Sequence, residues 1–412
     1  MEQPDTLPFP LDPAADPVAE AHELLAQGCP VRHVLLPGAV PAVAALDYES
    51  AKAVLGHPKL TKDPAHWPAL TDGRIPDDWE LIPLVQGAGM LHAGGEAHTR
   101  LRGLVSSAFR RASIESWRPR IEDIAATLLD QLETAATRDP VVDLRHEFAW
   151  QLPLTVICEL LGVPASAITR LRGAFDRLVT PDPLDESGQG ILEAQAVIAE
   201  ELTQLIALKR TAPGADLATE LITARDADDG SLTDAELLQT MFLLLIAGQE
   251  TTVLLITGTV HSLLNDPQQL DAVRAGAFTW SDVVEEGLRH SSPVRYALMR
   301  YATEDIEIGG TAIRRGDAVL AALFAAGRDG EVHDGAHRFD LGRSTRQHLA
   351  FGHGAHFCLG ATLARLEAEV ALEMLFSRFP RIGLAGDEVP SMRSIALQGL
   401  QALPVRLGPT GR

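Results

Sequence analysis

The sequence predicts a mainly α-helical fold with a small β region, and three observations carry that prediction. Long amphipathic or apolar helical patterns dominate from about Glu96 onward. Strand-like runs are few and short. No Gly/Ser-rich linker or internal repeat cuts the 412 residues into separable units, so one domain spanning 1–412 is the simplest organisation.

The longest helix opens at Thr233-Asp234-Ala235-Glu236, a capping-box pattern in which the hydroxyl and the carboxylate each satisfy a free backbone N–H. Apolar residues continue past Ile256, and Asp266-Pro267 stops the run. That is about 32 residues, or roughly 48 Å at about 1.5 Å per residue, enough to cross the whole molecule. A second helix carries Glu286-Gly287-Leu288-Arg289 just before Ser292-Pro293, and a third, rich in Ala, Leu and Glu, runs from Ala361 to Phe376. Strand signals lie at Val31 to Val43, at Asp305 to Val319 with a turn at Gly309-Gly310, and from Ile395 to Val405.

Composition narrows the function. A 46% hydrophobic content can bury a large core, and a net charge of −21 argues against a nucleic-acid partner, which needs excess Lys and Arg on at least one face. The three cysteines, Cys29, Cys158 and Cys358, form no C-x-x-C pair and fit a reducing, cytoplasmic setting. Met1 to Pro13 shows no basic region followed by an apolar one, so neither signal peptide nor membrane anchor is expected. Met241 to Thr259 is apolar but interrupted by Gly248, Gln249, Glu250, Thr251 and Thr252, and reads as a buried core helix.

Chemistry concentrates in Phe351-Gly352-His353-Gly354-Ala355-His356-Phe357-Cys358-Leu359-Gly360, a glycine-rich loop that delivers a cysteine to a helix start. Free N–H groups and the positive end of the helix dipole there favour a thiolate and a lowered pKa. Cys29 and Cys158 read instead as small buried hydrophobes. A second constellation, Ala247-Gly248-Gln249-Glu250-Thr251-Thr252, lies in the middle of the long helix. Small Ala247 and Gly248 let a flat cofactor approach the backbone, and a kink or groove is expected. Read alone, the stretch equally suits a helix–helix contact with Thr bonding back to the preceding turn.

The cysteine loop matches F-x-x-G-x-x-x-C-x-G through Phe351, Gly354, Cys358 and Gly360, and so resembles the haem-binding loop of the cytochrome P-450 family. The resemblance spans Leu91 to Phe379 at motif level. It implies the family's fold, with haem b between the long central helix and the cysteine-loop helix and Cys358 as the proximal iron ligand. Gly354 and Gly360 would keep the loop tight. A rival zinc site from His353, His356 and Cys358 lacks a fourth ligand.

In the family the central-helix constellation is the oxygen-binding groove, so Glu250 and Thr251 match its acid-alcohol pair. Thr251 would hold bound dioxygen and water, and Glu250 would help relay protons. Glu286 and Arg289 match its E-x-x-R pair, with Arg338 as the third member of the buried triad. The resemblance places the haem propionates against His98, Arg102, Arg300 and His356. Gly327 stands where Asn is common before Arg328-Asp329, a departure expected to alter only turn detail.

These matches imply a monooxygenase; a haem-thiolate catalyst without oxygen activation and a non-catalytic haem carrier are the alternatives. Apolar residues at the family's cavity positions, among them Leu91, Leu243 and Val294, imply an apolar substrate. Gln239 and Gln398 are candidate contacts at opposite ends of a rigid molecule with oxygen at both ends. A steroid leads, and a macrolide or other polyketide comes second. Nothing resembles a flavin or nicotinamide module, so electrons are expected from ferredoxin and ferredoxin reductase, with Arg102, Arg110, Arg111, Arg343 and Arg346 as a basic docking patch. The chain is expected to act as a monomer.

Overall fold

The computed structural model describes residues 7–26, 28–87, 89–106, 109–179, 189–226, 232–386 and 389–408. Its axis is the helix Asp234–Asn265, 32 residues long and hereafter the central helix. Thr233 accepts a hydrogen bond from the Glu236 N–H, and the Glu236 carboxylate accepts one from the Thr233 N–H, as the capping-box pattern predicts. Such a cap contributes about 1 kcal/mol. Asp266 ends the helix and caps the next one, Pro267–Arg274, by accepting from the Gln269 N–H.

The central helix is apolar on most of its circumference because helices surround it. Gln151–Leu160, Gln189–Thr211, Trp280–His290 and Ala361–Arg378 all pack against it. Met241, Leu245, Val253, Ile256, Val260 and Leu263 are buried in the largest core cluster. Each such side chain is worth roughly 1.5–3 kcal/mol in transfer from water. Length and hydropathy alone would suit a membrane span, but these side chains are already covered by protein. The helix runs unbroken through Gly248, so the expected kink does not form. The groove that was the other expectation does, as described below.

Beside the helices lies a six-stranded sheet in the order Phe9–Pro10, Val31–Leu36, Val40–Ala45, Ala318–Ala322, Tyr296–Ala302, Leu60–Thr61. The predicted strand Val31 to Val43 is a hairpin, turned by Gly38 at φ 75° and Ala39 at φ 57°. Both faces of this sheet are covered. Val34, Leu36, Ala42 and Ala44 enter one cluster, and Val31, Val43 and Ala45 enter another, as alternation along a strand requires. Asp305 to Val319 resolves into the small hairpin Ile306–Ile308 and Thr311–Ile313, with Gly309 and Gly310 both at positive φ in its turn, followed by the strand Ala318–Ala322. The predicted tail strand is mostly irregular. Only Pro404–Arg406 is a strand, and Leu397 and Leu400 make isolated bridges to Val294 and Ser391.

Candidate active site

The cysteine loop is held by its own backbone. The Cys358 N–H donates to Phe351 O at 2.8 Å, and the Phe357 N–H donates to Gly354 O at 3.0 Å. Gly354 has φ 75°, and a Cβ there would lie 3.1 Å from Gly56 Cα and from Leu55 O, so only glycine fits. Gly360 differs. Its backbone is ordinary, with φ −81°, and a Cβ would meet open space, so loop tightness does not require it. What that glycine leaves is room for a flat group against the loop.

Burial pushes the Cys358 thiol up, while the Gly360 N–H and the guanidinium groups of Arg102 and Arg365 pull it down. Desolvation thus opposes the lowering that the helix start favours, and a bound metal cation would stabilise the thiolate further. Arg365, which the sequence reading missed, lies 4.5 Å over the Phe351 ring and is paired with Glu285, which also bonds His348. Phe351 is thus fixed by a cation–π contact under the loop. His353 lies against Gly56, and His356 stacks on His98 with ring centroids 3.9 Å apart. The loop spreads its histidines toward different neighbours, and the zinc alternative does not assemble.

The largely buried central helix carries a stripe of accessibility. Gln239 and Ala247 are exposed and Leu243 and Thr251 half-buried, four residues apart, whereas Met241, Leu245 and Gln249 between them are buried. Exposure along one line of a core helix marks an internal space. Gly248, beside the stripe, turns toward Ile157, whose side chain would lie 3.8 Å from an added Cβ.

The acid-alcohol pair is split by this geometry. Thr251 sits on the open stripe and donates to Ala247 O at 2.8 Å, which leaves its oxygen lone pairs free to accept from a ligand or water. Glu250 points into protein and meets Arg145 at 2.8 Å, both side chains nearly buried. Burial pushes the Glu250 carboxyl up, and Arg145 opposes that shift. One more acid, not found from sequence, lies on the far side of the same helix: Glu367, with a hydrogen bond to Thr252, is pushed up to about 8 by burial. One Glu among the three of the Ala-, Leu- and Glu-rich helix Ala361–Arg378 carried no signal, because that helix is apolar on several faces.

The expected propionate partners do come together. His98 and Arg300 are buried, and Arg102 and His356 are half-buried; Arg102 also donates to Phe357 O at 2.6 Å. The mutual repulsion of these groups is legible in their titration. Burial, then the charges of His98, Lys62, Arg300 and Arg102, push His356 down to about 2. Burial takes Arg300 down to about 10. A cluster of cationic groups of this kind fits an acidic, flat cofactor, and haem with its two propionates is such a molecule. Haem bound here through Cys358 would supply oxygen-activating redox chemistry. The chain's own part would be to ligate the iron and neutralise the carboxylates, with Thr251 on the open stripe and two buried acids behind it.

Glu286 and Arg289 are fully buried and bidentate, at 2.7 and 2.8 Å. The third member is Arg343 and not Arg338: Arg343 Nε lies 3.3 Å from Glu286, whereas Arg338 offers its main-chain oxygen to Arg289 and exposes its side chain. Arg289 also donates to Gly327 O and Ala336 O, so the cluster pins two loops. Gly327 matters here beyond turn detail, because a Cβ would come within 2.4 Å of Arg289 O. The basic patch shrinks correspondingly. Arg343 is buried, Arg346 pairs with Asp282 at 2.7 Å, and Arg111 pairs with Glu115 at 2.6 Å.

Of the expected substrate contacts, Leu243 lies on the stripe, and Leu91 and Val294 are also half-buried, Val294 bridging to Leu397. Gln239 faces the Gly89 loop, its Cβ 3.7 Å from where a Gly89 side chain would begin. Gln398 is partly spent: its amide donates to Ser292 O at 2.7 Å, leaving its side-chain oxygen as acceptor.

Comparison with known proteins agrees with this geometry. The cytochrome P-450 family profile matches residues 280–397. Cytochrome P-450 107B1 of Saccharopolyspora erythraea is 42% identical over 386 residues, 92% of each chain. The 6-deoxyerythronolide B hydroxylase of the same organism is 40% identical, covering 87% of this chain and 89% of its own. Among solved structures, testosterone-bound CYP154C4 from Streptomyces sp. ATCC 11861 superposes with a TM-score of 0.92 at 38% identity, over 99% of this chain and 100% of that one. With a relative 42% identical over 92% of each chain and a solved structure of the same fold at 38% identity, the chain belongs to the cytochrome P-450 family and is a haem-thiolate monooxygenase.

Proposed function

We propose that this monooxygenase hydroxylates a rigid, apolar molecule of steroid type, in the cytoplasm and as a monomer, with electrons from ferredoxin and ferredoxin reductase. The observation that carries the substrate reading is the stripe Gln239, Leu243, Ala247, Thr251. It puts an apolar wall between an amide and the oxygen-handling threonine, about 12 Å along the axis from Gln239 to Ala247 at about 1.5 Å per residue. Gln239 can donate to or accept from a ring oxygen at one end, and the side-chain oxygen of Gln398 can accept a hydroxyl proton at the other. The testosterone in CYP154C4 supports the same chemical class. A macrolide-type polyketide is the second reading, favoured by identity to the 6-deoxyerythronolide B hydroxylase. Of the expected docking arginines, Arg110 and Arg111 are exposed, Arg111 within a pair with Glu115 that an acidic donor would have to open.

Difference spectra of the ferric protein titrated with 3-keto steroids and, in parallel, with macrolide aglycones test the proposal. A substrate-type shift with the steroids that weakens in Gln239→Leu supports it. Silence across the steroids with a response to the aglycones replaces the lead by the second reading. For the donor, charge reversal at Arg110 and Arg111 should slow reduction by ferredoxin and flatten its salt dependence; an unchanged rate removes that assignment.

A further inference from the structure

Lys62 follows the two-residue strand Leu60–Thr61, which pairs antiparallel with Tyr296–Ala302 in the register Leu60↔Ala302, Thr61↔Tyr301. One more step along that register sets Lys62 opposite Arg300. Like charges at opposed strand positions destabilise a sheet, and here both side chains are buried, at 8% and 4% exposure. The Lys62 ammonium donates to Leu298 O at 2.7 Å. Among the described residues no carboxylate offsets either charge: burial and Arg300 push Lys62 down to about 7, and burial alone acts on Arg300.

A buried ammonium facing a buried guanidinium persists only where an anion joins them. We propose that Lys62 is a cofactor-binding residue, which shares with Arg300 the acidic edge of haem and, through Leu298 O, ties that edge to the strand bordering the substrate space. The inference rests on haem binding and goes beyond the set His98, Arg102, Arg300 and His356. A neutral lysine that only buttresses Leu298 would have no such link to the cofactor.

The holoprotein and its Lys62→Met and Lys62→Arg variants are compared by haem transfer to excess apomyoglobin and by reduction potential. Removing the charge should raise the release rate roughly tenfold, the equivalent of about 1.4 kcal/mol. It should also move the potential to a more negative value, because a cation that favours the added electron is gone. Lys62→Arg should hold both quantities near those of the unsubstituted protein. Release and potential unchanged in Lys62→Met overturn the proposal, and so does a Lys62→Arg variant as leaky as Lys62→Met. If Lys62→Met does not accumulate with haem, the arginine variant decides: haem-loaded protein supports the assignment, and its failure to load overturns it.

Discussion

The carboxylate of Glu250 lies 2.8 Å from the guanidinium of Arg145, and that bond turns the acid of the acid-alcohol pair away from the space its neighbour Thr251 borders. Adjacent residues on a helix point about 100° apart, so one can face the cavity only while the other faces protein. Any proton passing between them has to cross the helix surface by way of water or a side-chain rotation. Arg145 therefore governs whether Glu250 is charged.

Arg145→Met is expected to leave Glu250 buried and unpaired, which pushes its carboxyl further above the ordinary range. Because a proton donor must be protonated to act, the alkaline limb of the kcat pH profile should move to higher pH. In Glu250→Gln that limb should vanish. Steady-state turnover measured across the pH range checks both, and an unshifted profile in Arg145→Met would separate Glu250 from the proton supply.

Glu367 carries a pH signature of its own. Its folded pKa is raised to about 8 from an ordinary 4.5, so folding favours the protonated acid. The associated stability is fully present below about pH 4.5 and is lost as pH rises toward 8, where the unfolded chain ionises and the folded one resists. Glu367→Gln removes this dependence. Denaturation midpoints at pH 5 and pH 9 should draw together in the variant, with the unsubstituted protein losing on the order of a few kcal/mol over that interval.

Arg343 and Arg338 offer a paired test of the buried cluster. Arg343→Ala leaves Glu286 short of a charge partner in a fully buried site and should cost about 3–5 kcal/mol. Arg338→Ala keeps the main-chain oxygen that Arg289 uses and should stay within about 0.5 kcal/mol. Thermal unfolding of the two variants distinguishes them.

Gly354→Ala forces a side chain into a left-handed backbone and against Gly56, at a cost of about 1–3 kcal/mol. Gly360→Ala meets neither obstacle in the protein and should leave apoprotein stability unchanged while slowing haem uptake. Apoprotein melting and hemin titration monitored at the Soret band read the two effects apart.

Much of the site was legible in the chain because its signals are local. The capping box at Thr233 and Glu236, the hairpin glycines Gly309 and Gly310, and the spacing Phe351, Gly354, Cys358, Gly360 each act within a few residues. Lys62, Arg145, Arg343 and Glu367 escaped for the opposite reason. Their partners lie far along the sequence, as Lys62 with Leu298 and Arg145 with Glu250 illustrate, and nothing in their own surroundings distinguishes them from surface charges. Arg338 was chosen over Arg343 because motif position names a residue but not which of its atoms, main chain or side chain, does the bonding.

By itself the sequence determined the helical class and the central helix to its last residue, since periodicity, caps and turn glycines are short-range effects, and motif resemblance singled out Cys358 and the four cationic groups that the fold brings together. Tertiary structure alone decided that the acids turn away from the open stripe while Thr251 borders it, which arginine completes the buried cluster, and that a lysine beside the sheet joins the cationic cluster. Those choices depend on desolvation and charge pairing between distant segments, whose energies exist only once the chain has brought them together.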